Sequence, residues 1–344
     1  MTPAGWIDHD AHPLATDADV PLDDLKPLLA VVEGASVVGG GDGSRAAHEV
    51  TVLQARMARF LVTRAGFRTL AFDGDRALGE ALDTYGRTGT GDPRRLLRES
   101  EPFWNIAPFL HLIRWAREHN RAHAGDEVRV LGADMGADAV AAWGTLPPPP
   151  DDPHNMAALE HGLAERIAAW HAATGHRTFF WSTTSHASDG FRRAVHFPAS
   201  IPRGQRNAGS LPRERFGSGY RPVGFTFGRG QVRAYGDEGV LHVPPPGHVL
   251  AEHTLDAAGP DSAAYLLDLR AAAPERDPHR GTEVARGRGR DQGRLHRRRG
   301  LPHAHHQLGL APAAPGGQPP YPVRVLSRPR SAGDDGEGPG HRLG

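Results

Sequence analysis

The 344-residue chain has no cysteine. That excludes a disulfide framework, a thiolate metal site and a cysteine nucleophile, and it leaves the redox compartment open. Its 40 basic and 40 acidic residues cancel, so no global charge directs the chain to nucleic acid or an acidic membrane surface. It lacks an apolar run of membrane-spanning length, and no basic segment followed by an apolar one opens it. A cytoplasmic protein is therefore the expectation. Lysine is nearly missing too: Lys26 stands alone against many arginines, a bias of a GC-rich coding sequence rather than of a function. No Gly-x-Ser-x-Gly run occurs, which removes the serine elbow of the α/β-hydrolase type.

What is present centres on residues 35–56, ASVVGGGDGSRAAHEVTVLQAR. The β-branched run Ser36-Val37-Val38 reads as a buried strand, and Gly39-Gly40-Gly41-Asp42-Gly43 as a turn with positive φ angles. Ser44 opens a helical pattern carried by Val50, Leu53, Met57, Phe60 and Leu61, with Gly66 as its C-cap. Thr69–Phe72 is a second strand ending in Asp73. Residues 1–34 form a leading segment with a short helix over Pro21–Val32. Helices are expected near Arg76–Tyr85, Phe103–Asn120 and Met156–Ala173. Strands are expected at Glu127–Gly132, Thr178–Trp181, Tyr220–Phe227, Gln231–Tyr235 and Ala263–Arg270. Strands alternating with helices predict an α/β fold, a mainly parallel sheet flanked by helices, over residues 35–272. Residues 273–344 are rich in Arg, Gly, Pro and His. They bring too little apolar surface to offset ordering entropy and read as a disordered C-terminal tail, of a composition that a frame change in the gene would produce.

Gly43-Ser44-Arg45 with LQARMARFLVTRAGF, LIRWAREHN at 112–120, VLGADM at 130–135 and FFWSTTSHAS at 179–188 together resemble the erythromycin esterase family of macrolide-lactone hydrolases. The first of these stretches is similar to the family's HG-(S/T)-R-E-F helix and its continuation, and the other three to further family segments. GYRPVGFTFGRG, PPPGHVLAEHTL and YLLDLR fit its last third. Trp181, Gly209 and Arg213 match as well. The resemblance spans roughly residues 30–272 and implies a hydrolase for an ester or lactone of a small natural product. It implies a small-molecule partner, neither nucleic acid nor membrane, and no cofactor or metal.

The resemblance also implies a histidine that deprotonates water, with carboxylates to orient it. In register, the family's loop Glu falls on Gly39 and its loop His on Asp42. The strand-end Glu falls on Asp73, and an His-Asn pair on Thr183 and Thr184, while His186 is kept. The stretch before Met156 is shorter than the family's helical insertion. An unperturbed Asp, with a pKa of about 3.9, is a poor base near neutrality unless burial raises it. Asp42, Asp73 and His186 are thus the candidate catalytic residues of a rebuilt site, with weakened or altered chemistry. Asp42 and Asp73 form a possible carboxylate pair, and either one is a candidate to orient His186. Gly39, His48, Arg56, Thr183, Thr184 and Arg213 are candidates for substrate contact or support. The competing reading is a non-catalytic, small-molecule-binding relative. Gly41-x-Gly43-x-x-Ala46 imitates a dinucleotide fingerprint, but Asp73 lies too far along to be its acidic partner. His303-Ala304-His305-His306 reads as an accidental cluster in the tail.

Overall fold

The structure is a computed structural model that describes residues 3–45, 47–134, 156–189, 206–233, 240–248, 250–259, 262, 264–271 and 323–327. Its strands are β1 His12–Leu14, β2 Val37–Asp42, β3 Phe67–Asp75, β4 Arg129–Asp134 and β5 Arg177–Thr183. They continue with β6 Tyr220–Phe227, β7 Gly230–Arg233, β8 Val240–Val243, β9 Ala264–Asp268 and β10 Val323–Ser327. Eight form one sheet in the order β1-β9-β10-β6-β2-β5-β3-β4, and β7 and β8 pair separately. The five strands β6, β2, β5, β3 and β4 run parallel, and β10 joins them beside β6. Only β9 runs against its neighbours β10 and β1. The mainly parallel α/β sheet read from the sequence is the observed one.

Strand alternation sorts the core into two layers. Val38, Phe72 and Trp181 face the His48–Ala65 and Ala107–Ala122 helices, packing with Leu53, Phe60, Trp104 and Phe109. Val37, Ala71 and Phe180 face the Met156–Thr174 helix through Leu163 and Ile167. The first of these helices ends at Gly66 with φ 71°, the left-handed cap the sequence suggested. The Arg76–Thr88 helix is capped by Asp75, whose carboxylate accepts from the N–H groups of Ala77 and Leu78.

Several boundaries differ from the sequence reading. The glycine run is strand rather than turn: Gly39, Gly40 and Gly41 belong to β2, and none of them has a positive φ. A Cβ on Gly40 would meet the Phe179 ring at 2.7 Å, and one on Gly41 the Thr184 Cα at 2.9 Å. These glycines serve close packing, not turn geometry. The following helix starts at His48 rather than Ser44, without a side-chain cap. The leading segment holds a 3-10 turn at Asp23–Leu25 and a short helix at Leu28–Val31, interrupted by Pro27. The third helix begins at Ala107, since Trp104 and Ile106 form turns instead. Pro147–Pro150, the stretch before Met156, His303–His306 and the tail apart from β10 lie outside the described residues.

Candidate functional site

The carboxyl ends of β2, β3 and β5 bring together Asp42, Asp73 and Ser182, with Arg45 arriving from the turn after β2. Arg45 Nη2 donates to both Asp73 carboxylate oxygens at 2.5 Å, and its Nε lies 3.5 Å from Asp42 Oδ2. The guanidinium rests 4.2 Å from the centroid of the Trp104 ring, a cation–π seat in a dry setting. Ser182 Oγ donates to Asp73 Oδ2 at 2.5 Å, and Gln54 Nε2 donates to Asp42 Oδ2 at 3.3 Å. The carboxylate pair anticipated from the sequence is therefore one in which a guanidinium stands between the two acids.

Asp42 is sealed from solvent, its side chain 0% exposed, and its Oδ1 has no hydrogen-bond partner among the described residues. Burial pushes its pKa up to about 7; Arg45 and the Gln54 hydrogen bond pull downward, and the Asp73 charge pushes further up. Such a pKa suits a general base, but a group that no water reaches cannot activate one. Geometry overrules titration here. Ser182 is fully buried as well and its hydroxyl is committed to Asp73, so it is not poised as a nucleophile.

His186 sits just beyond, on the short Thr184–Ala187 helix that follows β5. The carboxylate that holds it is Glu160, not Asp42 or Asp73: His186 Nδ1 and Glu160 Oε1 are 3.0 Å apart. Glu160 comes from the Met156–Thr174 helix, is buried, and takes the Ala208 N–H on its other oxygen at 2.7 Å. A carboxylate only accepts, so Nδ1 carries the proton. The His186 side chain keeps 15% of its surface accessible. Unlike Asp42, it is not sealed from solvent.

The support candidates divide by location. Gly39 has no room for a side chain: a Cβ there would run into the Tyr220 hydroxyl and lie 3.3 Å from Ala187 Cβ. Thr184 Oγ1 donates to the Gly41 carbonyl at 3.2 Å, tying the His186 turn to β2. Thr183 and Ser185 share a hydroxyl–hydroxyl bond of 2.6 Å. Arg213 donates to the Tyr220 carbonyl at 3.3 Å and lies 3.8 Å from Asp189; burial raises the Asp189 pKa to about 6 against the pull of Arg213. His48 is exposed and lines a cavity of about 410 Å³ with Arg56, Arg59, Asp19, Leu112 and Trp115. Arg56 itself belongs to the scaffold. It binds Asp24 at 2.8 and 2.9 Å and the Pro21 and Ala15 carbonyls, fastening the leading segment to the central helix.

Glu160, Arg45 and Tyr220 were not singled out as site residues from the sequence. For Glu160 the signal was present: residues 160, 163, 164 and 167 share one face of a helix, and Leu163, Ala164 and Ile167 are all buried. A lone acid on a buried stripe needs a partner.

The sequence model of a family described as erythromycin esterase matches residues 62–146 and 137–316. The second stretch holds Glu160, His186 and Tyr220, and it runs past the point where the motif resemblance ends; the glycine-rich strand β2 precedes both. A curated relative, erythromycin esterase type II of Escherichia coli, is 29% identical over 113 residues, 33% of this chain. The chain spans 26% of that relative's length. Among solved structures, a Bacillus cereus protein superposes with a TM-score of 0.70 at 18% identity, covering 95% of this chain and 96% of that one. A succinoglycan biosynthesis protein gives 0.67 at 20% identity, over 80% and 87% of the two chains. A mutant of the erythromycin esterase EreC in its open conformation gives 0.55 at 13% identity, over 77% and 90%. At these identities the superpositions speak for the fold.

Proposed function

Since the chain belongs to the erythromycin esterase family, we propose that it is a diverged hydrolase of a carboxylic ester or lactone of a small natural product, with His186 as general base. The observation that carries this reading is the partly exposed imidazole held through Nδ1 by buried Glu160. Ester hydrolysis at neutral pH requires a group that takes a proton from water as the water attacks the carbonyl carbon. With Nδ1 bound to Glu160, Nε2 is the nitrogen that takes this proton. The imidazolium so formed is steadied by the Glu160 carboxylate, which also fixes the tautomer beforehand. Asp42, Arg45, Asp73 and Ser182 brace the sheet edge beside it.

The test is turnover of a panel of p-nitrophenyl esters, small lactones and macrolactones by the purified protein. His186→Ala is expected to lower kcat by about 10²–10⁴, the usual worth of a general base. Glu160→Gln is expected to lower it less, with the pH profile displaced. Unchanged turnover in His186→Ala would overturn the assignment.

A second reading, a non-catalytic relative that binds a small molecule, is favoured by one arrangement. Tyr220 occupies the space beside Gly39 and Asp42 is sealed, so neither position aligned with the family's loop Glu and His offers an accessible acid or base. Saturable binding of an ester without turnover of any panel member would favour it.

A further inference from the structure

We propose that Tyr220 is a positioning residue for His186, using the space beside β2 that Gly39 leaves open. The inference rests on the reading of His186 as the base. Tyr220 begins β6 and is fully buried, and β6 pairs directly with β2 so that Gly39 lies opposite Pro222. Its hydroxyl donates to the Ala187 carbonyl at 2.6 Å, the residue next to His186. From the other side, the Gly209 N–H donates to the His186 carbonyl at 2.7 Å, and Thr184 holds the Gly41 carbonyl. The four-residue helix carrying the imidazole is thus fastened at three points, to β6, to the turn before Ser210, and to β2.

The phenol reaches Ala187 only because residue 39 has no side chain. A Cβ at that position would clash with the hydroxyl and approach Tyr220 Cζ at 3.0 Å. Glycine at 39 and tyrosine at 220 are a matched pair, and what they set is where the turn bearing His186 sits relative to Glu160. A hydrogen bond from a buried hydroxyl to a backbone carbonyl leaves that carbonyl unpaired when removed. The His186–Glu160 distance is what moves in response.

Tyr220→Phe keeps the ring and deletes one oxygen. On the best p-nitrophenyl ester it is expected to lower kcat at least tenfold, with KM within twofold and the pH profile displaced. The His186 imidazole resonance, assigned by its disappearance in His186→Ala, is expected to titrate at a different pH. Gly39→Ala, which pushes the hydroxyl off Ala187 from the other side, is expected to reproduce both effects. Adding it to Tyr220→Phe should cost less than adding it to the parent. If Tyr220→Phe and Gly39→Ala leave kcat and the His186 titration unchanged while His186→Ala abolishes turnover, the positioning role is overturned and the base assignment survives. If the parent hydrolyses nothing, the hydrolase reading fails, and the His186 titration alone decides the positioning: an unshifted resonance in both variants overturns it. Should Tyr220→Phe fail to fold, Gly39→Ala carries the same decision.

Discussion

Asp42 is the residue at which burial, charge and pH meet. In the unfolded chain its pKa is ordinary, near 3.9; in the folded protein, desolvation lifts it to about 7. The folded state therefore holds a proton on Asp42 through a range where the unfolded state has released it. Stability from this group is full below about pH 4 and falls as pH rises through about 7. A displacement from 3.8 to about 7 converts to roughly 4 kcal/mol at about 1.36 kcal/mol per unit, as a ceiling. Asp42→Asn keeps an oxygen to accept from Gln54 and cannot ionise. Compared with the parent in urea melts, it is expected to be no more stable near pH 3.5, below the unfolded pKa, and to gain by a few kcal/mol at pH 8.5. A parent–variant difference that stays flat between those pH values would refute the buried, neutral carboxyl. Arg45 supports the same conclusion from the other side: its two short bonds to Asp73 commit its charge there, which leaves Asp42 the acid that does without a full counter-charge.

At the scale of elements, one tight joint lies between the Arg76–Thr88 helix and β4. A Cβ on Gly79 would lie 2.6 Å from Gly132 Cα and closer still to its nitrogen. One on Gly132 would lie 2.8 Å from the Asp75 carbonyl carbon. Two effects compete in Gly79→Ala. Helix propensity favours alanine by about 1 kcal/mol, whereas overpacking against backbone that cannot rotate away typically costs about 1–3 kcal/mol or more. The clash should win, and chemical denaturation is expected to show a net loss of at least about 1 kcal/mol. A stabilised Gly79→Ala would mean the helix stands further from β4 than the structure places it. Asp83 locks the same joint by taking the Arg129 guanidinium and the Val130 N–H. The joint also shows what sequence patterns conveyed. Long helices and apolar strands were legible because their periodicity is local, and Gly66 was legible as a cap because a left-handed residue is a local demand. Gly39–Gly41 were misread for the complementary reason. Their missing side chains answer to Tyr220, Phe179 and Thr184, residues far along the chain, and nothing in the local sequence distinguishes that need from a turn.

At the scale of the whole molecule, the strand-end placement of the candidate residues was legible and their pairing was not. Asp42, Asp73 and His186 do gather at the carboxyl edge of the sheet, as strand-end positions in α/β folds do. What periodicity and motif order could not supply was the pairing. Arg45 is the partner of Asp73 across β2 and β3, and Glu160 reaches His186 from the helix on the opposite face. This division bears on substrate size. The family model is matched in two pieces that overlap over residues 137–146, inside the stretch that the sequence resemblance reads as shorter than the family's helical insertion. A macrolactone needs a wide cleft that orients a large ring, and orientation supplies much of the rate for such a substrate. A small ester needs little beyond a base and room for an acyl group. We therefore expect kcat/KM for p-nitrophenyl acetate or butyrate to exceed that for erythromycin ring opening by at least about 100-fold, roughly 2.7 kcal/mol of transition-state binding. His186→Ala should lower the small-ester activity by the same roughly 10²–10⁴ expected of a lost general base. Mass-spectrometric detection of hydrolysed erythromycin at a rate matching the small esters would show that a cleft for large lactones persists.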